Sequence, residues 1–268
     1  MILLKKDETL EDLQINNLRM IQKKNGFRFG EDSVLLANYI SEYYTKTKNA
    51  SKKIMDLGCN CGSMTLLLSQ KLPSSKFTGV EITVDAYDAF KRNIILNNVS
   101  DRVEALNLNW NKLSEIYKSG EFDCVISNPP YKVYNGFQNN EINDLRIARE
   151  EIFSNSEQLV EISEYLLKPR GTVFFIYRIN RMADIIYNMK KSGLEPKRLK
   201  LIMPFHGREP TAFIVTGQKG LKAGGFVVEK PFVIFDKPGE YTEEIKTLYG
   251  KQPLMPADEL YKDILREE

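Results

Sequence analysis

Four consecutive residues, Asn128, Pro129, Pro130 and Tyr131, are the best suited to chemistry in this chain. Two adjacent prolines remove two backbone donors and fix two φ angles, and the residue before a proline is pushed toward an extended conformation. The Asn128 carboxamide oxygen and the Pro129 carbonyl can then accept hydrogen bonds from one NH₂ group, while Tyr131 stacks on a planar group. Because two acceptors draw the nitrogen lone pair out of conjugation, the pattern favours attack by an amine that is conjugated to a planar system.

A glycine-rich turn at 58–62 separates a short apolar strand at 54–57 from a helix predicted at 64–72. Strand, glycine turn and helix in this order are typical of the start of a doubly wound α/β domain. The turn lets the backbone approach a ligand, and the helix N-terminus offers free N–H groups. The turn lacks the glycine spacing of dinucleotide-binding proteins and the lysine of a P-loop. Asn60 stands where a central glycine would, although asparagine also tolerates a positive φ.

An acidic residue, Glu81, ends the second predicted strand at 76–81. It follows Gly62 by about twenty positions, which is where a carboxylate usually holds the hydroxyls of a ribose. The alternative interpretation is a surface glutamate after a strand. Position and spacing together favour the ribose-binding interpretation.

Strands and helices alternate through most of the chain, so the sequence predicts an α/β fold. Asp32 and Ser33 are predicted to cap a helix that starts at Val34. The other predicted elements are strands at 12–22, 102–108, 122–126, 172–176, 196–204 and 211–216, and helices at 84–97, 141–167 and 179–192. No helix is evident between the last two strands, which predicts an antiparallel hairpin at the end of a mostly parallel sheet.

Composition and charge exclude several classes of protein. No apolar run has the length of a membrane span or a signal-peptide core, so the sequence predicts a cytoplasmic protein. Three cysteines are too few for a disulfide framework, and a single histidine, His206, excludes a histidine-rich metal site. Between 178 and 222, ten basic residues stand against three acidic ones. This excess favours an anionic partner; the alternative is a solvated basic surface.

The motifs together resemble those of a known family. The pattern D-x-G-x-N-x-G at 56–62, the acid in GVEI and the stretch SNPPY at 127–131 resemble class I S-adenosylmethionine-dependent methyltransferases that act on amino nitrogens. NPPY does not separate adenine N6 from a glutamine side-chain amide. The segment GFRFGEDSVLLANYI at 26–40 and the tail from 217 to 250 are similar to the tRNA1(Val) adenine-N6 methyltransferase family.

This resemblance implies a Rossmann-like class I methyltransferase fold, with a seven-stranded mostly parallel sheet, a C-terminal antiparallel hairpin and helices on both faces. It implies transfer of a methyl group from S-adenosylmethionine to N6 of an adenine beside the anticodon of a valine tRNA. Asn128 and Pro129 would orient the amine and Tyr131 would stack on the base. The residues that it implies for cofactor binding are Phe29, Asp32, Asp56, Gly58, Gly62, Glu81 and Asn109. Asn109 stands where this class often has an aspartate that reads the cofactor adenine.

The predicted organisation is an N-terminal strand and helix extension at 1–50 that covers the cofactor, a methyltransferase core at 51–217 and a C-terminal extension at 218–268. The predicted partner is tRNA, with no metal and no membrane. The predicted phosphate contacts are Lys23, Lys24, Arg28, Lys190, Lys191, Lys197, Arg198, Lys200 and Arg208. Two alternatives remain open: a protein-glutamine N5-methyltransferase acting on release factors, and a non-catalytic RNA-binding relative, which the residues Asn60 and Asn109 motivate.

Overall fold

The computed structural model shows a nine-stranded sheet with helices on both faces and a separate two-stranded hairpin. The residues that the structure describes are 4–13, 15, 17–24, 30–46, 51–129 and 156–249. None of the helices in these ranges is long and apolar enough to cross a bilayer.

The strands, in chain order, are β1 (Glu8–Asp12), β2 (Arg19–Lys23), β3 (Lys53–Leu57), β4 (Lys76–Glu81), β5 (Val103–Asn107), β6 (Phe122–Ser127), β7 (Leu167–Arg178), β8 (Leu194–Phe205), β9 (Ala212–Lys219), β10 (Val227–Lys237) and β11 (Glu240–Tyr241). The helices are α1 (Glu31–Lys46), α2 (Ser63–Lys71), α3 (Val84–Leu96), α4 (Ser156–Leu166), α5 (Met182–Lys191) and α6 (Glu243–Tyr249). Short 3-10 helices lie at Trp110–Glu115 and Ile179–Arg181.

The strand order across the large sheet is β11-β10-β8-β9-β7-β6-β3-β4-β5. β9 is antiparallel to β7 and β8, β11 is antiparallel to β10, and the other neighbouring pairs are parallel. Seven of these strands form the predicted mostly parallel sheet with its antiparallel β8–β9 hairpin. β10 and β11 extend it beyond the predicted edge, because the apolar residues at 227–228 and 232–235 belong to one strand that pairs in parallel with β8.

Residues of the buried strands alternate between two hydrophobic layers. Ile54 and Ile126 face the layer that includes α1, α2 and α3, whereas Met55 and Val125 face the layer that includes α4 and α5. Both faces of the sheet are therefore covered, which is why the central strands are apolar at successive positions rather than at every second one. Each fully buried aliphatic side chain of this kind contributes about 1.5–3 kcal/mol to folding.

The single strand predicted at 12–22 is wrong, because the chain reverses direction within it. β1 ends at Asp12 and β2 begins at Arg19, and the two pair in antiparallel fashion. Asn17 has a φ of 57°, in the left-handed region that turns favour. Leu13 and Leu18, on either side of the reversal, are both buried, so the apolar alternation continues through the turn and hides it from a sequence reading.

The start of one helix also differs from the prediction. α1 begins at Glu31, three residues before the predicted start, so Asp32 and Ser33 lie inside its first turn rather than at its cap. The helix predicted at 141–167 is described as α4 from Ser156, and its earlier part lies outside the described residues. The helix ends at Leu166, one residue before the predicted end, and residues 168–171 belong to β7.

The β1–β2 hairpin is fastened to α3 by buried polar contacts. Asn93, which is fully buried, accepts a hydrogen bond from the Ile21 N–H (2.7 Å) and donates to the carbonyls of Ile21 (3.0 Å) and Cys61 (2.9 Å). The Arg92 guanidinium binds both oxygens of the buried Glu8 carboxylate, at 2.8 and 2.5 Å, which lowers the pKa of Glu8. One helix thus positions β2 and the glycine turn together.

We predict that Asn93→Ala lowers the free energy of unfolding by about 3 kcal/mol, because it leaves buried backbone groups of β2 and the glycine turn without a partner. Urea unfolding measures this change. Asn97→Ala is the matched control, since Asn97 makes the same pair of contacts with Arg19 one helical turn later but is half exposed to water. Its cost should be about 1 kcal/mol or less. Equal losses in the two variants would contradict the assignment.

Candidate active site

The carboxyl ends of four parallel strands meet at one edge of the sheet, which we call the carboxyl edge. From β3 the chain goes on to β4 and β5 on one side, whereas β6 pairs with β3 on the other side. The strand order therefore reverses between β3 and β6, and open α/β sheets bind their ligands in the crevice at such a point. The ends of β3, β4, β5 and β6 and the segments that follow them carry most of the predicted catalytic and cofactor-binding residues.

The turn after β3 has the left-handed backbone that its sequence predicts. Gly58, Asn60 and Gly62 have φ angles of 74°, 51° and 84°. A Cβ at Gly62 would lie 1.9 Å from the Phe90 ring, so no other residue fits there without moving α3. Asn60 adopts the conformation of the glycine it replaces, and the turn is retained.

Glu81 is held in place by the turn. Its Oε2 atom accepts a hydrogen bond from the Asn60 N–H at 2.9 Å, and its Oε1 atom accepts one from the Thr83 N–H at 2.8 Å. Burial raises the pKa of the Glu81 carboxyl, while these backbone donors lower it. Each carboxylate oxygen can accept a further bond, so a fixed Glu81 can receive two hydroxyl groups of a ligand.

Asp56 is almost completely buried on β3 and only partly hydrogen-bonded. The Thr65 hydroxyl donates to its Oδ2 atom at 2.6 Å, while no partner of its buried Oδ1 atom is found among the described residues. Burial raises the pKa of Asp56 to about 7. A buried acceptor without a donor is costly, and a cationic or N–H ligand would remove that cost.

A small cavity of about 20 Å³ lies beside Asp56, with Gly58, Ser63, Ser33 and Asn128 in its wall. This volume holds one water-sized group. The cavity can therefore receive only the end of a ligand, such as an ammonium group. The rest of a ligand would extend along the turn toward Glu81.

Asn128 directly follows β6 and is buried beside the first turn of α1. Its Nδ2 atom donates to the Ser33 hydroxyl oxygen at 3.1 Å. The neighbouring Ser127 hydroxyl donates to the Leu57 carbonyl at 2.7 Å, which ties the end of β6 to the end of β3. Pro129 is also buried. The structure thus places Asn128, Pro129 and the Asp56 cavity together.

Asn109 lies at the same edge, after β5. Its side-chain oxygen accepts from the Asn111 N–H at 3.0 Å and caps the short 3-10 helix that begins with Trp110. Trp110 is buried, and its ring lies 3.1 Å from the position of a Cβ at Gly58, so it packs under the glycine turn. The Asn109 oxygen can accept one further hydrogen bond, and recognition of the cofactor adenine by Asn109 stays a prediction.

Three polar residues support the site although the sequence did not identify them as site residues. Thr65 fixes Asp56, Ser33 fixes Asn128, and the Asn107 amide donates to the carbonyls of Glu81 (2.8 Å) and Ile82 (3.0 Å). Thr65 lies among leucines and a methionine on a buried helix. A polar residue within such an apolar segment is the sequence feature that could have identified it as a supporting residue. Ser33 and Asn107 carry no comparable signal.

Several predicted phosphate contacts lie near the carboxyl edge. Lys23 forms an ion pair with Asp85 in the first turn of α3, which begins just after β4, and Lys24 donates to the Lys6 carbonyl at 3.4 Å. Arg208 is exposed after β8, which runs in the same direction as β6. Three strand spacings separate β8 from β6, or about 14 Å across the sheet.

The other predicted phosphate contacts lie away from the carboxyl edge or are already bound by other groups of the protein. Lys190 and Lys191 end α5, which leads into the amino end of β8, and they pair with Glu195 and Glu157. They lie at the opposite edge of the sheet from Asn128. Along β8, the Lys197 and Lys200 ammonium groups donate to backbone carbonyls, and Arg198 pairs with Glu229 at 2.6 Å.

Three predicted site residues, Tyr131, Phe29 and Arg28, lie outside the described residues, as does Pro130. Asp32 lies in the first turn of α1, one residue before Ser33. Among the described residues, no group of three or more His, Cys, Asp or Glu side chains is arranged to hold a metal ion.

Comparison with known proteins places the fold and the motifs in one family. Residues 33–178, more than half of the chain, match the model of the methyltransferase small domain. The chain belongs to this family. The match runs from the first turn of α1 to the end of β7, so it includes Ser33, the glycine turn, Glu81 and Asn128.

Curated relatives carry names of adenine methyltransferases at low identity. The chain is 25% identical over 186 residues to a tRNA1(Val) (adenine(37)-N6)-methyltransferase of Flavobacterium johnsoniae, covering 69% of this chain and 76% of that protein. A Vibrio cholerae protein of the same name is 27% identical over 182 residues, covering 67% and 70%. A bifunctional methyltransferase of Rickettsia bellii is 37% identical over 81 residues, or 30% of this chain, and the match spans only 14% of that longer protein.

Solved structures confirm the class I methyltransferase fold. A predicted O-methyltransferase from Agrobacterium tumefaciens superposes with a TM-score of 0.63 at 20% identity, covering 81% of this chain and 95% of the other. A Thermus thermophilus 16S rRNA N2 G1207 methyltransferase, solved with AdoMet and guanosine, has a TM-score of 0.55 at 13% identity, covering 79% and 50%. At these identities the likeness shows the fold alone.

Membership of a methyltransferase family supports the predicted cofactor, S-adenosylmethionine, and the site fits it. The unpartnered Asp56 oxygen beside a small cavity suits the ammonium end of the methionine moiety, and the fixed Glu81 carboxylate suits the ribose hydroxyls. At Gly58 and Gly62 a Cβ would lie 3.1 Å from Trp110 and 1.9 Å from Phe90, so these glycines let the turn pack closely on the core beneath the cofactor path. When bound, this cofactor supplies an electrophilic methyl group.

We predict that Asp56→Asn flattens the dependence of stability on pH. The pKa of Asp56 is about 7 in the folded protein and about 4 when unfolded, so the folded state holds the extra proton between these values. Stability is therefore lost as the pH rises through this window. Urea unfolding should show the variant to be more stable than the parent by about 2 kcal/mol at pH 8, with little difference at pH 5.

Glu31→Gln is the control, because burial also raises the pKa of Glu31 to about 7, and Glu31 does not line the Asp56 cavity. Both variants should flatten the pH profile. Only Asp56→Asn should weaken binding of S-adenosylhomocysteine, by about tenfold in calorimetry, through loss of a charge-assisted hydrogen bond. Unchanged affinity in Asp56→Asn would remove Asp56 from the cofactor site.

Proposed function

We propose that this protein transfers a methyl group from S-adenosylmethionine to N6 of an adenine in tRNA. The observation that carries the proposal is the Asn128 carboxamide, held by Ser33 at the carboxyl end of β6 beside the Asp56 cavity. The names of the Flavobacterium and Vibrio relatives support an adenine beside the anticodon of a valine tRNA as the substrate.

The orientation of the Asn128 carboxamide determines which of its atoms can bind the substrate amine. Because its Nδ2 atom donates to Ser33, the Oδ1 atom is the one that can accept from a substrate amine. The Pro129 carbonyl belongs to the same rigid turn and can accept the second hydrogen. An adenine N6 held by both acceptors has its lone pair turned away from the ring and toward the methyl donor.

The described residues support a direct transfer without a strong base. Asp56 and Glu81 are assigned to the two ends of the cofactor, and no other Asp, Glu or His of the described residues lines the cavity beside Asn128. The amine does not need to lose its proton before it attacks, since the proton becomes acidic once the nitrogen carries a fourth bond. The contribution of these residues is to hold two reactants in line.

The domain division belongs to the same proposal: a core at 51–217, with extensions at 1–50 and 218–268. Two contacts support extensions that pack on the core. Asn93 joins β2 to the glycine turn, and the Tyr241 hydroxyl of β11 donates to the buried Glu31 carboxylate at 2.5 Å, beside the first turn of α1. The C-terminal strands thereby support the helix that carries Ser33.

The direct test incubates the protein with total tRNA and S-adenosylmethionine labelled in the methyl group, followed by digestion to nucleosides. Labelled N6-methyladenosine is expected. Release factor is added in a parallel reaction, and label there without any in tRNA would identify a glutamine methyltransferase instead. Lack of S-adenosylhomocysteine binding in calorimetry would favour the non-catalytic RNA-binding alternative.

In that assay we predict that Asn128→Ala lowers kcat by about a thousandfold, as removal of one oriented hydrogen-bonding group in a catalytic site does. Affinity for S-adenosylhomocysteine should stay within about twofold, because Asn128 faces the amine. Ser33→Ala should lower kcat by about tenfold, since the carboxamide remains but can rotate. A variant Asn128→Ala that keeps full kcat would refute the proposed mechanism.

Charge-reversal variants should distinguish the predicted phosphate contacts near the carboxyl edge from those at the opposite edge of the sheet. Arg208→Glu should weaken tRNA binding and reduce the slope of log affinity against log salt by about one. The double variant Lys190→Glu and Lys191→Glu should have little effect, because these residues lie at the far edge and already pair with Glu195 and Glu157. Filter binding between 50 and 200 mM salt, about the range where such contacts dominate, measures both. Equal effects of the two changes would mean that tRNA contacts both edges of the sheet.

A further inference from the structure

A second cavity lies at the amino ends of β3, β6 and β7, the edge opposite the candidate active site. Its volume is about 310 Å³, the lower end of the size of small-molecule sites. Tyr43 and Tyr44 of α1 form one wall, and Lys52, which precedes β3, forms another. None of its lining residues belongs to the Asp56 cavity.

A looped-out segment of β7 builds the third wall. Leu167 pairs with Phe122 and Thr172 pairs with Cys124, so four residues of β7, 168–171, lie opposite the single residue Asp123 of β6. Lys168 fastens this bulge to β6 through an ion pair with Asp123 at 2.8 Å.

Arg170, at the tip of the bulge, has a φ of 65°. This left-handed conformation is unfavourable for a long side chain and is usually left to glycine or asparagine. A strained residue that persists beside a cavity is a reason to look for a function.

The cavity carries a net positive charge, because Lys52, Lys168 and Arg170 line it together with one carboxylate, Asp123. Asp123 is neutralised by Lys168, whereas neither Lys52 nor Arg170 forms an ion pair with any carboxylate of the described residues. The Lys52 ammonium instead lies over the Tyr44 ring, 5.4 Å from its centre. Two cations at one cavity attract an anion, and an arginine fork binds phosphate in a bidentate manner.

Aromatic rings beside these cations favour a planar ligand. The half-exposed Tyr43 ring is held edge-on by Tyr44 and Phe174, with centroid distances of 5.3 and 5.2 Å. A ring fixed in this way can stack on a base at little cost in conformational entropy. The Gln218 amide lies 3.4 Å from both the Arg170 carbonyl and the Thr172 hydroxyl, and such long bonds are easily exchanged for bonds to a ligand.

From this combination we infer that the cavity binds a nucleotide, with its phosphate between Lys52 and Arg170 and its base against Tyr43. The nucleotide is either free or part of an RNA chain. The site is independent of the methyl-transfer proposal, because it shares no residue with the candidate active site.

The test measures binding of adenosine 5′-monophosphate to the full-length protein by calorimetry, with S-adenosylhomocysteine present at saturation so that the adenine cannot enter the cofactor site. Inorganic phosphate and adenosine are the partial probes, and each should bind more weakly than the nucleotide. Lys52→Glu should weaken nucleotide binding by about tenfold, the usual effect of losing one charge-assisted contact. Lys91→Glu is the matched control, since Lys91 also lies 5.4 Å from the centre of a tyrosine ring, Tyr87, but on the outer face of α3.

The Arg170→Gly variant tests nucleotide binding without lowering the stability of the fold. Glycine relieves the left-handed strain, so the melting temperature should stay unchanged or rise by about 2 °C, while nucleotide affinity falls by about tenfold. If tRNA affinity falls with it, the phosphate belongs to RNA; if tRNA affinity is unchanged, the ligand is a free nucleotide. No nucleotide binding by the parent protein, or equal binding by the parent, Lys52→Glu and Arg170→Gly, overturns the inference. Because methyl transfer is assayed separately with total tRNA and the two cavities share no residue, failure here is distinct from failure of the proposed methyl transfer.

Discussion

The candidate active site depends on a close approach that leaves no room for a side chain. The turn after β3, the middle of β4 and the Phe90 ring of α3 meet where Gly62 and Gly79 would place a Cβ 1.9 and 2.5 Å from that ring. Because the turn lies this close to β4, the Asn60 N–H reaches the Glu81 carboxylate and α2 begins at the crevice. A methyl group at Gly62 would push the turn away from Glu81, so the cofactor site rests on packing in the core.

The protein buries several carboxyl groups, and ionising them away from water is costly in free energy. Glu81 offsets part of that cost with two backbone donors, and Glu31 does so with the Tyr241 hydroxyl. Asp56 has Thr65 on one oxygen only, and burial raises its pKa to about 7. Unmet polar groups of this kind persist at functional sites, where a ligand completes them. The cost of burying Asp56 is therefore consistent with a cationic ligand rather than with stability of the fold.

Much of the fold was predictable because the central strands are apolar and the turns contain glycine or proline. The glycine turn, Glu81 and Asn128 follow three strands in the sequence, and their meeting at one edge is a consequence of parallel pairing. Contacts between distant segments were not predictable: the bond from Asn128 to Ser33 joins β6 to α1, and β10 pairs with β8 across an intervening segment. The β1–β2 reversal was hidden for a local reason, since Leu13 and Leu18 keep the apolar alternation on both sides of the turn.

α1 links the two edges of the sheet and decides how the two cavities can communicate. Its first turn holds Ser33 against Asn128, and its last turns carry Tyr43 and Tyr44. Ser33 and Tyr43 are ten residues apart, which is about 15 Å along the helix and about twice the Debye length of about 8 Å at physiological salt, so a charge bound at one cavity is largely screened from the other. Any coupling would have to move the helix itself, and Tyr39, Tyr43 and Tyr44 pack around Phe174 of β7 at centroid distances of 5.2–6.1 Å. A helix fixed in this way favours independent occupation of the two sites.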